Sequence, residues 1–232
     1  MDDFTLALRS MREVLAVPNL ADRAAALLEE LIISGKVKPG SRIIEETLAR
    51  DLGISRTSLR EAVLCLEKAG MIVREGKTGR VIRTVSPNDV LEIYDMWAIL
   101  ESEAAATACA VAGSDSLREL RRLLSEMRNA PDRESYQFAN LEYHRALTSP
   151  CPNATLREAY LDCLKKIRWA WALMIPRHDK RGDRGEEHEQ IYEAYAARDA
   201  VKVRDLTRAH ILKGRDTFLP SAAAQLRVTA AD

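Results

Sequence analysis

A mainly α-helical chain in two parts is what the sequence predicts: an N-terminal winged helix-turn-helix, then an all-helical bundle of six helices. Three observations carry this. Apolar residues recur at i, i+3, i+4 spacing over most of the 232 residues. A helix, a second helix, a three-residue break, a third helix and a glycine-turned hairpin follow in that order. A fresh helix-start signal at Ser86 then opens a long stretch in which helical periodicity returns after every break.

Each element has its own warrant. Residues 1–18 form an arm ending at Pro18, and the winged unit spans 19–84. Its first helix reads from about Asp22, with Ala24, Leu27, Leu28, Leu31 and Ile32 on one face and Gly35 as the stop. The turn Lys38-Pro39-Gly40 precedes a short helix from Glu45 to Leu52, which Gly53 ends. Ser55 is a suitable N-cap for the third helix, whose inward residues are Leu59, Ala62, Val63, Leu66 and Ala69. Ile72-Val73-Arg74 and Arg80-Val81-Ile82 flank glycines, the pattern of a hairpin. Ser86-Pro87-Asn88-Asp89 then combines a capping box with proline at the first helical position. The second unit, 85–220, holds helices at about 87–112, 116–129, 132–148, 154–176, 185–197 and 199–219. Residues 221–232 read as a tail.

Composition narrows the function classes. No apolar run reaches the ~18 residues that suggest a membrane span, and the N-terminus lacks the basic and apolar regions of a secretory signal. Four cysteines without C-x-x-C spacing suit reduced thiols, so a cytoplasmic protein is expected. The formal net charge is zero, yet between Arg50 and Arg83 eight bases face four acids. That local excess of positive charge is what a DNA footprint requires.

The third helix carries Arg56 and Arg60 four residues apart at its N-terminal end, beside Ser55, Thr57 and Ser58. A recognition helix enters the major groove by that end. There arginine can hold guanine bidentately, and hydroxyls can bind phosphate. Lys77, Thr78, Gly79 and Arg80 at the hairpin tip would meet the backbone or the adjacent minor groove. The segments Gly35–Gly40, Leu48–Ala62 and Leu66–Ile72, with Gly79, resemble the signature of the GntR-type winged-helix regulators over about residues 20–84. The resemblance implies operator contacts by Ser55, Arg56, Thr57, Arg60 and the wing. Ser58 stands where many members have proline.

Behind this unit, the chain has only four histidines. His178 lies in the charged run Arg177–Arg181 and is set aside. Asn140 and His144 are four apart on one helix face; His188 and His210 belong to two consecutive helices expected to pack antiparallel. Three imidazoles suit zinc, with nickel or manganese as alternatives. Asn140 brings no charge, so the cation would be left unbalanced and would attract a carboxylate. Ile93-Tyr94-Asp95, Leu100-Glu101, Asn140-x-x-x-His144, Glu187-His188-x-x-Ile191 and Ala209-His210-Ile211 resemble the FCD effector domain of the FadR-like branch, over about residues 86–219. The resemblance implies that Asn140, His144, His188 and His210 converge on one divalent metal, and that a small-molecule effector binds nearby. Many FCD domains have arginine where this chain has Trp97; Arg168 is the candidate to take its place in the effector pocket. Trp169 and Trp171 cannot share a helix face, so one is expected in the core and the other at a rim or interface.

The expectation is a homodimeric transcription regulator, a repressor in the family's usual mode. It would read an inverted-repeat operator in double-stranded DNA and answer to an organic or sugar acid, with no membrane partner. The rival is a metal-dependent hydrolase using the three histidines. Against it, neither H-E-x-x-H nor G-x-S-x-G occurs, and no acid is placed by motif as a general base.

Overall fold

A capping box opens the first helix: Asn19 accepts from the Asp22 N–H at 2.8 Å, and Asp22 accepts from the Asn19 N–H at 3.3 Å. The helix therefore starts at Leu20, and Asp22 is its third residue rather than its first. The structure is a computed structural model describing residues 19–76, 79–174 and 185–229. It divides into two units, Met1–Val85 and Ser86–Asp232.

In the first unit, α1 (Leu20–Ile33), α2 (Glu45–Leu52) and α3 (Arg56–Lys68) precede β1 (Ile72–Glu75) and β2 (Gly79–Ile82). Gly53 ends α2 with φ 66°, a left-handed cap that glycine takes without strain. Ser55 starts α3 by accepting from the Ser58 N–H at 3.0 Å. The strands are antiparallel, with Ile72 opposite Ile82 and Glu75 opposite Gly79. Gly79 is required by close approach, since a Cβ there would lie 2.6 Å from the Glu75 carbonyl oxygen. Leu59, Val63 and Leu66 of α3 are buried, as are Leu28 and Ile32 of α1 and Ile72 and Ile82 of the hairpin. Each such aliphatic side chain contributes ~1.5–3 kcal/mol. This core fixes the roll of α3, leaving Arg56, Thr57 and Arg60 on its exposed face.

The second unit begins with the predicted capping box. Ser86 N–H donates to Asp89 at 2.8 Å, Asp89 N–H donates to Ser86 Oγ at 3.1 Å, and Pro87 takes the first turn. Its helices are α4 (Pro87–Val111), α5 (Ser114–Asn129), α6 (Arg133–Thr148), α7 (Ala154–Met174), α8 (Gly185–Ala196) and α9 (Ala200–Thr229). Helix α4 is the hub and packs on α6, α7, α8 and α9. Ala98, Ala104, Ala105 and Ala108 are fully buried along it, and their small side chains let neighbouring helices come close. Arg198, at φ 59° in the turn before α9, donates to the carbonyls of Ala110 at 2.7 Å and Ala112 at 3.1 Å. It thereby satisfies acceptors left open where α4 ends.

A C-terminal boundary also differs from the sequence reading. Helix α9 continues past Pro220 to Thr229, so most of the segment read as a tail, 221–232, is helical. Proline removes a single N–H from the ladder, and the following Ala222-Ala223-Ala224 are the strongest helix formers available. Among the described residues, no helix is long and apolar enough to cross a membrane.

Candidate functional site

Three helices of the second unit bring three histidines together. His144 comes from α6, His188 from α8 and His210 from α9, and one ligand atom from each lies within 4.8 Å of the others. Ring centroids are 4.3 Å apart for His188 and His210, 5.4 Å for His144 and His210, and 5.6 Å for His144 and His188. All three rings are buried, with exposures of 1%, 1% and 5%. Tyr143 holds α8 in place: its hydroxyl donates to the His188 carbonyl at 3.0 Å, and its ring lies edge-on to the His188 ring. Asn140 is half-buried one turn before His144, on the same face of α6.

The outer nitrogens of two of these rings are held by carboxylates. Glu101 of α4, with no exposed surface, places Oε1 2.6 Å from His144 Nδ1. Glu187 of α8 places Oε2 2.7 Å from His210 Nδ1, and Lys213 donates to its other oxygen. The His210 hydrogen bond first, and Lys213 with it, hold the Glu187 carboxyl down at about 2 against the opposing effect of burial. Carboxylates behind ring nitrogens orient imidazoles and raise their basicity toward a metal. The expectation that the cation's charge would be left unbalanced is therefore corrected: two carboxyl groups stand directly behind the histidines. Glu101 was recognisable as an acid within an apolar stripe, between Trp97-Ala98 and Ala104-Ala105. Glu187 adjoins His188 in sequence, but its partner is His210.

The residues fit a divalent metal. His144 Nε2 is buried and has no hydrogen-bond partner among the described residues, a condition that costs ~1–3 kcal/mol if nothing satisfies it. With Nδ1 committed to Glu101, Nε2 is the nitrogen left to bind a cation. Three neutral imidazoles form the donor set of zinc and related ions.

Trp97 lies beside the cluster rather than at a distance. It is buried, its indole N–H donates to Glu101, and its ring centroid is 5.0 Å from that of His144. Tyr94 and Trp171 complete an aromatic wall, with Trp171 Nε1 donating to the Tyr94 hydroxyl at 2.9 Å and its ring edge-on to Trp97. Trp169 is buried and Trp171 half-buried. Arg168 is half-buried on α7, one turn before Trp171. The Tyr160 hydroxyl is fully enclosed near Glu101, and burial first, then the Glu101 charge, push its ionisation well up.

In the first unit, the side chains of Ser55, Arg56, Thr57 and Arg60 surround the exposed start of α3. Ser55 Oγ serves the cap and also meets Ser58 Oγ at 2.9 Å. Arg56 pairs with Glu46 of α2, both well exposed. Arg80 is placed differently: only 13% of its side chain is exposed, and it bridges Glu67 at 3.1 Å and Glu45 at 2.5 Å. Glu67 also accepts from Arg74 at 2.7 Å, and these two arginines hold its carboxyl below the usual range. This network joins α2, α3 and the hairpin. Gly79 is half-buried, and Lys77 lies outside the described residues.

Residues 20–82 match the family described as bacterial regulatory proteins, gntR family, and residues 92–213 match the FCD domain. The Nta operon transcriptional regulator of Aminobacter aminovorans is 29% identical over 192 residues, covering 82% of this chain and 90% of that protein. The HTH-type transcriptional regulator YdhC of Bacillus subtilis is 28% identical over 188 residues, covering 79% and 84%. The solved structure of E. coli McbR/YncC superposes with a TM-score of 0.71 at 22% identity, covering 86% of this chain and 97% of that one, a likeness of fold.

Proposed function

We propose that this DNA-binding transcription regulator, which belongs to the gntR family of bacterial regulatory proteins and carries an FCD domain, is a repressor released from its operator by an organic or sugar acid. Membership in a family of regulators sets the hydrolase reading aside. The observation that supports the effector half is the buried histidine triplet with Glu101 and Glu187 behind it. His144, His188 and His210, with Asn140 contributing an amide oxygen, would hold one divalent cation, zinc best suiting the nitrogen donors. When bound, the cation supplies a Lewis-acidic anchor for an oxygen donor. A carboxylate is drawn there by open coordination positions, since Glu101 and Glu187 already offset charge. Trp97 forms an apolar wall for such a ligand, and Arg168, one turn before Trp171, is the cation proposed for a second acidic group.

The DNA half rests on the exposed start of α3. Arg60 and Arg56 are the base-reading candidates, Arg56 exchanging Glu46 for DNA. Ser55 and Thr57 position the helix on phosphates. Lys77 and Gly79 at the wing would approach the backbone, with Arg80 contributing through the hairpin it braces. A homodimer addressing an inverted repeat in the cytoplasm completes the reading. Ligand arrival would shift the population between operator-competent and incompetent arrangements by its differential affinity for them.

Thermal-shift screening of carboxylic and sugar acids, with zinc and with chelator, tests the proposal. An acid that stabilises the protein only with zinc, and loosens operator binding under the same condition, is expected. Stabilisation equal in zinc and chelator would contradict it.

A further inference from the structure

We infer that Glu101 is the positioning residue of the histidine site: it fixes His144 in the one neutral tautomer that leaves Nε2 bare for a metal. The inference rests on the metal-site reading above and adds a residue to it. Glu101 has no exposed surface, yet it sits on an apolar face of α4 among alanines. The two oxygens of a carboxyl group in such a place need hydrogen-bond partners. It has them: Trp97 donates to Oε2, and His144 Nδ1 lies 2.6 Å from Oε1.

Because Oε2 takes the Trp97 N–H and Oε1 faces His144 Nδ1 at 2.6 Å, Glu101 accepts at both oxygens, and the ring proton of His144 belongs on Nδ1. A second proton on Nε2 would place a donor where His144 Nε2 has no hydrogen-bond partner among the described residues. The same contact explains Trp97. An arginine at that position would present a cation to Glu101, whereas the indole gives one neutral donor and leaves the carboxylate's charge for the histidine and its metal. Glu187 plays the same part for His210, but it is partly exposed and shared with Lys213, so its hold is weaker.

The test uses the full chain with histidine ring nitrogens labelled, freed of metal by chelator, and read by long-range proton–nitrogen correlation. His144 is expected as a neutral ring with its proton on Nδ1. A proton on Nε2 would overturn the inference, whether or not any metal binds. Glu101→Gln can accept at only one atom, and its amide NH2 can donate to Nδ1, which allows the opposite tautomer. Cobalt(II) titrated into this variant, followed by visible absorption, should bind roughly 10–100-fold more weakly than in the wild type; Glu187→Gln should lose less. A natively folded Glu101→Gln protein with undiminished cobalt affinity would also overturn it. If Glu101→Gln does not fold, the wild-type tautomer decides. Failure of the wild type to bind cobalt at all would instead strike the metal-site reading, and would leave the tautomer result standing.

Discussion

The two functional regions place charge in opposite ways. On the first unit, Arg56 and Arg60 stand in solvent at the start of α3, and the Arg56–Glu46 pair has both side chains more than two-thirds exposed. In the second, His144 and Glu101 meet at 1% and 0% exposure. Exposed pairs cost little to break, are screened by salt, and can be exchanged for phosphate or a base edge. A buried pair cannot be exchanged without leaving a partner unsatisfied, so it holds geometry. The first arrangement suits a surface that must meet many DNA sites before finding one. The second suits a site that must hold one ion in one geometry.

Exposed and buried charge should answer differently to substitution and to metal removal. The largest effect is expected at the buried site. His188→Ala or His210→Ala should abolish metal uptake by elemental analysis, while operator affinity without ligand stays within a few fold. A large loss of DNA binding would mean that the regions are not separable in this way.

Next comes metal removal. At a thousandfold excess of free zinc over its Kd, chelation should forfeit ~4 kcal/mol of stability. The loss should appear as a drop in the melting temperature of the second unit and depend on metal concentration.

Arg60→Ala should weaken operator binding by ~1–3 kcal/mol per half-site and relax preference at one base pair, if Arg60 reads guanine. Competition between operators varied at single positions checks this; a uniform loss with a shallower salt slope would make Arg60 a phosphate contact.

The smallest effect is at Ser55. Ser55→Ala removes the cap that accepts from the Ser58 N–H and should cost ~1 kcal/mol of first-unit stability. Denaturant unfolding would show it, and no change would mean that another group caps α3.

What could be read from the sequence follows the reach of its signals. The capping box at Ser86–Asp89, the Ser55 cap and the glycine-turned hairpin are local, each written within a few residues, and each is found where expected. The histidines could be nominated by scarcity, and their meeting depended on family likeness. The pairing of the carboxylates behind them was out of reach because their partners come from other helices: Glu101 and His144 are 43 positions apart, and Glu187 and His210 are 23 apart. Arg80 shows the same limit. As part of a basic hairpin it reads as a DNA contact, and only the fold reveals Glu45 and Glu67 closing around it. The segment 221–232 was missed in the other direction: it shows little apolar pattern, yet the helix continues past Pro220 to Thr229.

In the function proposed above, the effector signal enters through the histidine-held metal and leaves through the α3 face. This route is tested most directly by measuring operator affinity of the wild type and His210→Ala. Each is measured in zinc, with and without the acid that gives the largest zinc-dependent thermal shift. Equal affinities without the acid, within a few fold, are expected, with release of the wild type alone when the acid is added. Equal release of both proteins would contradict it.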